Sequence, residues 1–263
     1  IYLLTSFAIS FLLLYLVIKL SRGVKNPVRR FVPKTESNKI KISPFGGACM
    51  FFGSFIASLF FIRGESAILF LPVFLILLLG FFDDFKKIIS KNYHGVSARF
   101  KFFIQTLVAV LVISLSYYFN KDFGVYKIVI PFSGVMDFKL PLALSFAISY
   151  FAFTGTVNAV NLTDGLDGLA GKQVLVILSF ILTLLYAASF ASLSFDISDL
   201  RIIIFCFLGS ILAFLFYNTN PAKIFMGDGG SMMLGSLVAF IFIMLKLELM
   251  LIFIGFIILM EAF

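Results

Sequence analysis

Leu140-Pro-Leu-Ala-Leu-Ser-Phe-Ala-Ile-Ser-Tyr-Phe-Ala-Phe-Thr-Gly-Thr-Val157 runs without a charge into Asn158-Ala-Val-Asn161-Leu-Thr-Asp164-Gly-Leu-Asp167-Gly-Leu-Ala170. The first half is long enough to cross a bilayer as a helix. The second sets two amides and two carboxylates among glycines at the end of that helix. An isolated carboxylate at bilayer depth costs roughly 2.5–3.5 kcal/mol on insertion scales, so such groups are paired, hold a cation or face water. Acidic capping of a helix N-terminus explains one Asp. It does not explain four polar side chains three residues apart. Two further clusters share the pattern: Gly80-Phe-Phe-Asp83-Asp84-Phe-Lys86-Lys87 and Phe225-Met-Gly227-Asp228-Gly-Gly-Ser231.

Working outward, the 263 residues are 61% hydrophobic and 13% charged, which excludes an ordinary soluble domain. Continuously apolar runs, not alternating ones, make the chain an all-α, polytopic membrane helix bundle and argue against a β-barrel. Nine spans are predicted: Ile1–Leu20, Phe45–Ile62, Ala67–Phe82, Phe100–Phe119, Leu140–Val157, Val174–Leu193, Ile202–Tyr217, Met232–Leu245 and Leu249–Phe263. They form a single domain over 1–263, with no internal repeat and no soluble insertion. Cys49 and Cys206 fall inside apolar runs and read as inert thiols. His94, the one histidine, reads as a solvated loop residue, and a zinc site is not expected. The sequon Asn161-Leu-Thr163 is read as accidental at a membrane boundary.

Alternating the spans divides the basic residues 14 to 6 between the two sets of loops, and the richer side is cytoplasmic by the positive-inside rule. Asp83, Asp84, Asp164, Asp167 and Asp228 all fall on that side. The active-site loops are predicted at 21–44, 83–101, 158–172 and 217–231. The opposite loops carry Glu65, Asp122, Asp137, Asp196, Asp199 and Glu248 without a motif around them. The basic loop Ser21–Pro44 suits anionic headgroups or a phosphorylated ligand. No soluble basic surface suggests nucleic acid.

Five carboxylates without His or Cys are a hard oxygen-donor set, which favours Mg²⁺ or Mn²⁺. Mg²⁺ usually keeps positions for water and substrate phosphates, so the cluster reads as half of a site that a phosphorylated ligand completes. Lys86, Lys87 and Lys101 are placed to neutralise a diphosphate. Gly165, Gly168, Gly227, Gly229 and Gly230 allow close backbone approach. Asp164 and Asp167, three apart, would share one face of a helix. Neither cluster is a Walker, Rossmann or EF-hand motif. Asp83 beside Asp84 is the predicted proton acceptor, because like charges so close favour proton uptake by one of them. The 37 Phe are predicted to pack and face lipid, with some lining a groove that reaches this pair.

Gly46-Gly47, Gly80-Phe-Phe-Asp83-Asp84, Gly95-Val-Ser-Ala-Arg-Phe-Lys101, Asn158–Ala170 and Tyr217–Ser231 together resemble the polyprenyl-phosphate N-acetylhexosamine-1-phosphate transferases. The likeness is strongest to the peptidoglycan branch, the phospho-N-acetylmuramoyl-pentapeptide transferases. That resemblance implies a ten-helix, often dimeric enzyme of the bacterial inner membrane. It would transfer phospho-MurNAc-pentapeptide from UDP-MurNAc-pentapeptide to undecaprenyl phosphate with Mg²⁺, giving lipid I and UMP. It implies Asp83 and Asp84 near the phosphates and Asp228 as the Mg²⁺ ligand. Lys101, Asn161, Asp164 and Asp167 would bind the nucleotide-sugar, with Asn218 and Phe225 in a uridine pocket. Two departures stand out. Ile42-Ser-Pro-Phe45 replaces the usual Thr-Pro-Thr-Met, as in related UDP-GlcNAc transferases of teichoic acid or O-antigen synthesis, which are the alternative reading. The family's histidine-rich loop and last helix are expected beyond Phe263, and the start of the protein before Ile1. A different class, an ion-coupled transporter, predicts mid-bilayer acids and repeat symmetry. Here the acids sit at helix ends.

Overall fold

The computed structural model describes residues 1–21, 42–62, 64–90, 95–119, 125–130, 134–187, 197–251 and 253–255. It is a helical bundle: α1 (Tyr2–Leu20), α2 (Gly46–Leu59), α3 (Phe70–Ser90), α4 (Ala98–Phe119), α5 (Leu142–Thr163), α6 (Leu169–Ala187), α7 (Ile197–Asn218) and α8 (Gly227–Met244). Seven of these are long and apolar enough to cross a membrane. The exception is α2, with 14 residues against the predicted Phe45–Ile62. Of the predicted ninth span Leu249–Phe263, residues 249–251 and 253–255 are helical and the rest lie outside the described residues, as do most of the basic loop and His94.

One element was not foreseen. Strands β1 (Val125–Ile130) and β2 (Gly134–Lys139) pair antiparallel between α4 and α5, in register Val125 to Lys139 through Ile130 to Gly134. Val125-Tyr-Lys-Ile-Val-Ile130 is rich in β-branched residues, which suit a strand. The apolar-run criterion for spanning helices passes over so short an element.

The helices also outrun their apolar stretches. α3 continues eight residues past Phe82, α5 continues six past Val157, and α8 starts five before Met232. Segments expected as loops, 83–90, 98–101 and 158–163, are therefore helical. The polar motifs ride on helix ends instead of loops, so their side chains are placed by helical geometry.

The bundle is organised around α8, in which every residue from Gly229 to Met244 is buried. α3 and α5 flank it, α1 packs on α7 and α2, and α4 bridges α3 and α5. Small residues let these backbones approach. A Cβ on Gly80 of α3 would meet Gly229 Cα at 2.5 Å and the backbone of Asp228; one on Gly47 of α2 would collide with Gly230; one on Gly235 would meet Val157 Cα of α5 at 2.8 Å. Cys49 and Cys206 are free and buried, as expected.

At the far end of α8, Leu247 N–H donates to Phe242 O (2.8 Å) and Lys246 N–H to Ile243 O (3.2 Å), closing a Schellman cap. Lys246 takes φ 60, where glycine is usual. Glu248, expected in an exposed loop, is instead fully buried, accepting from Ser149 Oγ at 2.8 Å with Lys246 Nζ at 3.8 Å. Its burial is tolerable because it is paired.

Gly80→Ala should cost about 1–3 kcal/mol by forcing α3 off α8, seen as a lower thermal unfolding midpoint in detergent. Gly155→Ala, whose Cβ meets no atom within 4 Å, should leave that midpoint unchanged.

Candidate active site

The C-terminal ends of α3, α5 and α7 meet the N-terminal ends of α2, α4, α6 and α8 at one end of the bundle. Because α3 crosses α8 at Gly80, Asp83 and Asp84 on the next turn of α3 face the first turn of α8, where Asp228 stands. One carboxylate oxygen from each of the three lies within 4.8 Å of the others. Acidic charge in the first turn of α8 suits the positive end of the helix dipole.

Two lysines close the cluster. Lys87 Nζ lies 2.5 Å from Asp83 Oδ2 and 2.9 Å from Asp228 Oδ2, with Asp84 Oδ1 at 3.9 Å. Lys101 Nζ, from α4, lies 2.9 Å from Asp83 Oδ2 and 3.0 Å from Asp228 Oδ2. Asp83 Oδ1 accepts the Val96 N–H at 2.6 Å, and Asp84 Oδ2 accepts the Gly229 N–H at 3.1 Å. Asp83 is fully buried, and its Oδ2 has these ion pairs but no hydrogen bond of ordinary geometry. Lys87, Lys101 and Asp228 each keep between 21% and 26% of their side-chain surface exposed, so the cluster is not sealed. Three carboxylates thus face two ammonium groups. Lys86 departs from expectation: it is exposed and lines the groove between α3 and α4.

The like-charge argument that made Asp83 the proton acceptor does not describe its surroundings. Its carboxylate meets two cations and a backbone N–H. Asp164, at the C-cap of α5, is an acid pushed well above the usual carboxylate range, first by burial and then by the charges of Asp228, Asp84 and Asp167.

Asp164 and Asp167 do not share a helix face. Residues 164–168 form the turn between α5 and α6, with Gly168 at φ 80, so the helical spacing expected for them does not apply. Asn161 joins the cluster through α8: Ser231 Oγ donates to its Oδ1 at 2.7 Å, with Gly227 O and Asp228 O as alternative acceptors at 3.1 and 3.4 Å. Asn218 is buried and engaged at both ends of its amide. Its Oδ1 accepts the Gly168 N–H at 2.8 Å and its Nδ2 donates to Ile224 O at 2.7 Å, so it ties the 164–168 turn to the loop before α8. Phe225, half-buried, holds the same loop by its backbone: its N–H donates to Ser43 O (2.8 Å) and its carbonyl accepts from Gly46 N–H (2.9 Å). Gly227 then turns into α8 at φ 74, and a Cβ there would strike Pro44 O and meet Asp84 Oδ2 at 2.5 Å, which leaves only glycine.

Gln105 was missed. Buried on α4, it exchanges hydrogen bonds with Asn158: Asn158 Nδ2 to Gln105 Oε1 at 3.0 Å and Gln105 Nε2 to Asn158 Oδ1 at 3.3 Å. Its signal was its place four residues after Lys101, on the same helix face. An apolar groove of about 580 Å³ lies between α3 and α4, lined by Leu79, Phe82, Phe85, Val96 and Phe100; neither Asp83 nor Asp84 lines it, though the Val96 N–H donates to Asp83 Oδ1. A second of similar volume runs along α5 beside Leu251.

A membrane bundle that gathers acids and lysines at one end is the setting for transfer of a phosphorylated group. The chain belongs to glycosyl transferase family 4, which residues 66–246 match. It is 36% identical to the phospho-N-acetylmuramoyl-pentapeptide-transferase of Buchnera aphidicola subsp. Baizongia pistaciae, over 88% of this chain and 71% of that protein. It is also 36% identical to that of Wolbachia sp. subsp. Drosophila simulans (98% and 78% covered) and 34% identical to that of Nitratiruptor sp. (96% and 75%).

If the Gln105–Asn158 pair clasps α4 to α5, Gln105→Ala and Asn158→Ala should each lower the unfolding midpoint, and the double variant should lose less than their sum. A coupling of about 1 kcal/mol is expected; strict additivity would mean that the two amides do not support each other.

Proposed function

We infer that this protein transfers phospho-MurNAc-pentapeptide from UDP-MurNAc-pentapeptide to undecaprenyl phosphate, giving lipid I and UMP in peptidoglycan synthesis. The observation that carries the reading is the meeting of Asp83, Asp84 and Asp228 with Lys87 and Lys101 at one end of a family 4 bundle. The names of the relatives supply the sugar and peptide.

In this reaction an oxygen of the acceptor phosphate forms a bond to the donor's sugar-linked phosphorus, and the bond from that phosphorus to the UMP oxygen breaks. The acceptor is a phosphate monoester whose second ionisation lies near neutral pH, so it attacks with little help from a base. The work left to the protein is positioning and charge stabilisation. Lys87 and Lys101, whose ammonium groups are held beside Asp83 and Asp228, stand within a side-chain swing of the diphosphate oxygens. Asn161 and the 164–168 turn, held by Ser231 and Asn218, would seat the nucleotide-sugar, with Phe225 at the uridine. Asp83, Asp84 and Asp228 are a hard-oxygen set that fits Mg²⁺, and the buried Asp83 Oδ2 without a hydrogen bond of ordinary geometry is consistent with a cation partner. Bound there, Mg²⁺ would offset the charge of the diphosphate. The apolar grooves offer a surface to the acceptor's prenyl chain. The Lys and Arg asymmetry supports an active end on the cytoplasmic side of the inner membrane. A homodimer, implied by the resemblance, belongs to the same reading and is testable by crosslinking in membranes.

The purified protein with undecaprenyl phosphate and Mg²⁺ should exchange radiolabelled UMP into UDP-MurNAc-pentapeptide and not into UDP-GlcNAc; the reverse preference would overturn the substrate. Asp228→Asn should lower turnover by about 10²-fold or more, and turnover close to wild type with an unchanged Mg²⁺ titration would remove Asp228 from the metal site.

A further inference from the structure

The geometry points to cation binding as a displacement: we propose that a divalent ion takes Asp228 and Asp83 away from Lys87 and Lys101, and that the released ammonium groups turn to the substrate diphosphate. This rests on the transferase reading and adds a linkage between its metal and its donor substrate.

The two ammonium nitrogens and two carboxylate oxygens form a closed diamond. Asp228 Oδ2 accepts from both Lys87 Nζ (2.9 Å) and Lys101 Nζ (3.0 Å), and Asp83 Oδ2 lies 2.5 and 2.9 Å from the same two nitrogens. A Mg²⁺ ion would sit about 2.0–2.1 Å from its oxygens. On the shared oxygens it would then stand within a few ångströms of two positive charges, which repel it. Ion and lysines therefore compete for the same lone pairs. Asp84 is outside the diamond: its Oδ2 is fixed by the Gly229 N–H, and its Oδ1 is 3.9 Å from Lys87. It can contribute to a cation without giving up a close ion pair.

The lysines come from two helices, α3 and α4, and each keeps part of its side chain exposed. A flexible four-carbon stem lets an ammonium swing by several ångströms without moving its helix. A diphosphate arriving there would stabilise the swung lysines, and the swung lysines would free the carboxylates for the ion. Each ligand thereby removes the competitor of the other, so metal and donor should bind with positive linkage.

The test uses Mn²⁺ alone, without nucleotide, titrated into the detergent-purified protein and read by the electron paramagnetic resonance signal of the free ion. Lys87→Met and Lys101→Met should each bind Mn²⁺ at least about tenfold more tightly than wild type, because each removes one opposing charge. On the wild-type protein, Mg²⁺ should also raise several-fold the rate of reductive methylation at Lys87 and Lys101, with exposed Lys86 as the internal reference; this arm needs no substitution. Equal or weaker Mn²⁺ binding in both variants, or lysine reactivity unmoved by Mg²⁺, overturns the displacement. If Asp228→Asn abolishes Mn²⁺ binding while the lysine variants do nothing, the metal site stands and the competition falls. If Asp228→Asn binds Mn²⁺ as wild type does, the metal assignment falls as well.

Discussion

The contact on which the rest depends is the crossing of α3 over α8 at Gly80 and Gly229, where backbone meets backbone without an intervening side chain. That closeness lets Asp84 reach the Gly229 N–H and sets Asp228 within range of Asp83 and of Lys87, one turn further along α3. Association inside a bilayer draws little on hydrophobic transfer, so small residues and polar contacts must hold helices together. Here the same contacts that join α3 to α8 also assemble the reactive cluster. Stability and site are hard to separate at this crossing.

Around the cluster lies a layer of amides and hydroxyls whose role is to hold backbone in place. Asn218 ties the 164–168 turn to the loop before α8, Ser231 fixes Asn161, and Gln105 clasps Asn158. Each carries the position of one helix end to the next. The acids thus gain a fixed geometry, set by neighbours that hold the backbone around them.

The bundle and the three acidic motifs were legible because each leaves a strong local mark: an uncharged run of spanning length, and carboxylates where the bilayer tolerates few. That the motifs share one end was legible from the alternation of the spans. Less legible was everything that depends on how far a helix runs beyond its apolar stretch. Asp83 and Asn158 were expected on loops but ride on helices, since hydropathy marks the bilayer and not the hydrogen-bonded backbone. Lys86 and Lys87 are neighbours in sequence, yet one lines a groove and the other closes the acidic cluster, which only the phase of α3 decides. The expected helical pairing of Asp164 and Asp167 failed because two glycines turn the chain there. Gln105 escaped notice as a neutral residue in an apolar helix, and the β-hairpin as an element too short to register.

One consequence reaches back to how the protein is made. α5 and α8 are the two least hydropathic of the seven candidate spans, and they pack against each other, α8 with nearly all of its surface enclosed. A helix with so many Gly and Ser residues has a weak claim on lipid by itself. It enters the membrane most readily against protein already waiting there, and in chain order α2, α3 and α5 all leave the ribosome before it. The burial of α8 therefore sets a sequence of assembly in which the helix carrying Asp228 arrives late, into a slot that its neighbours have prepared.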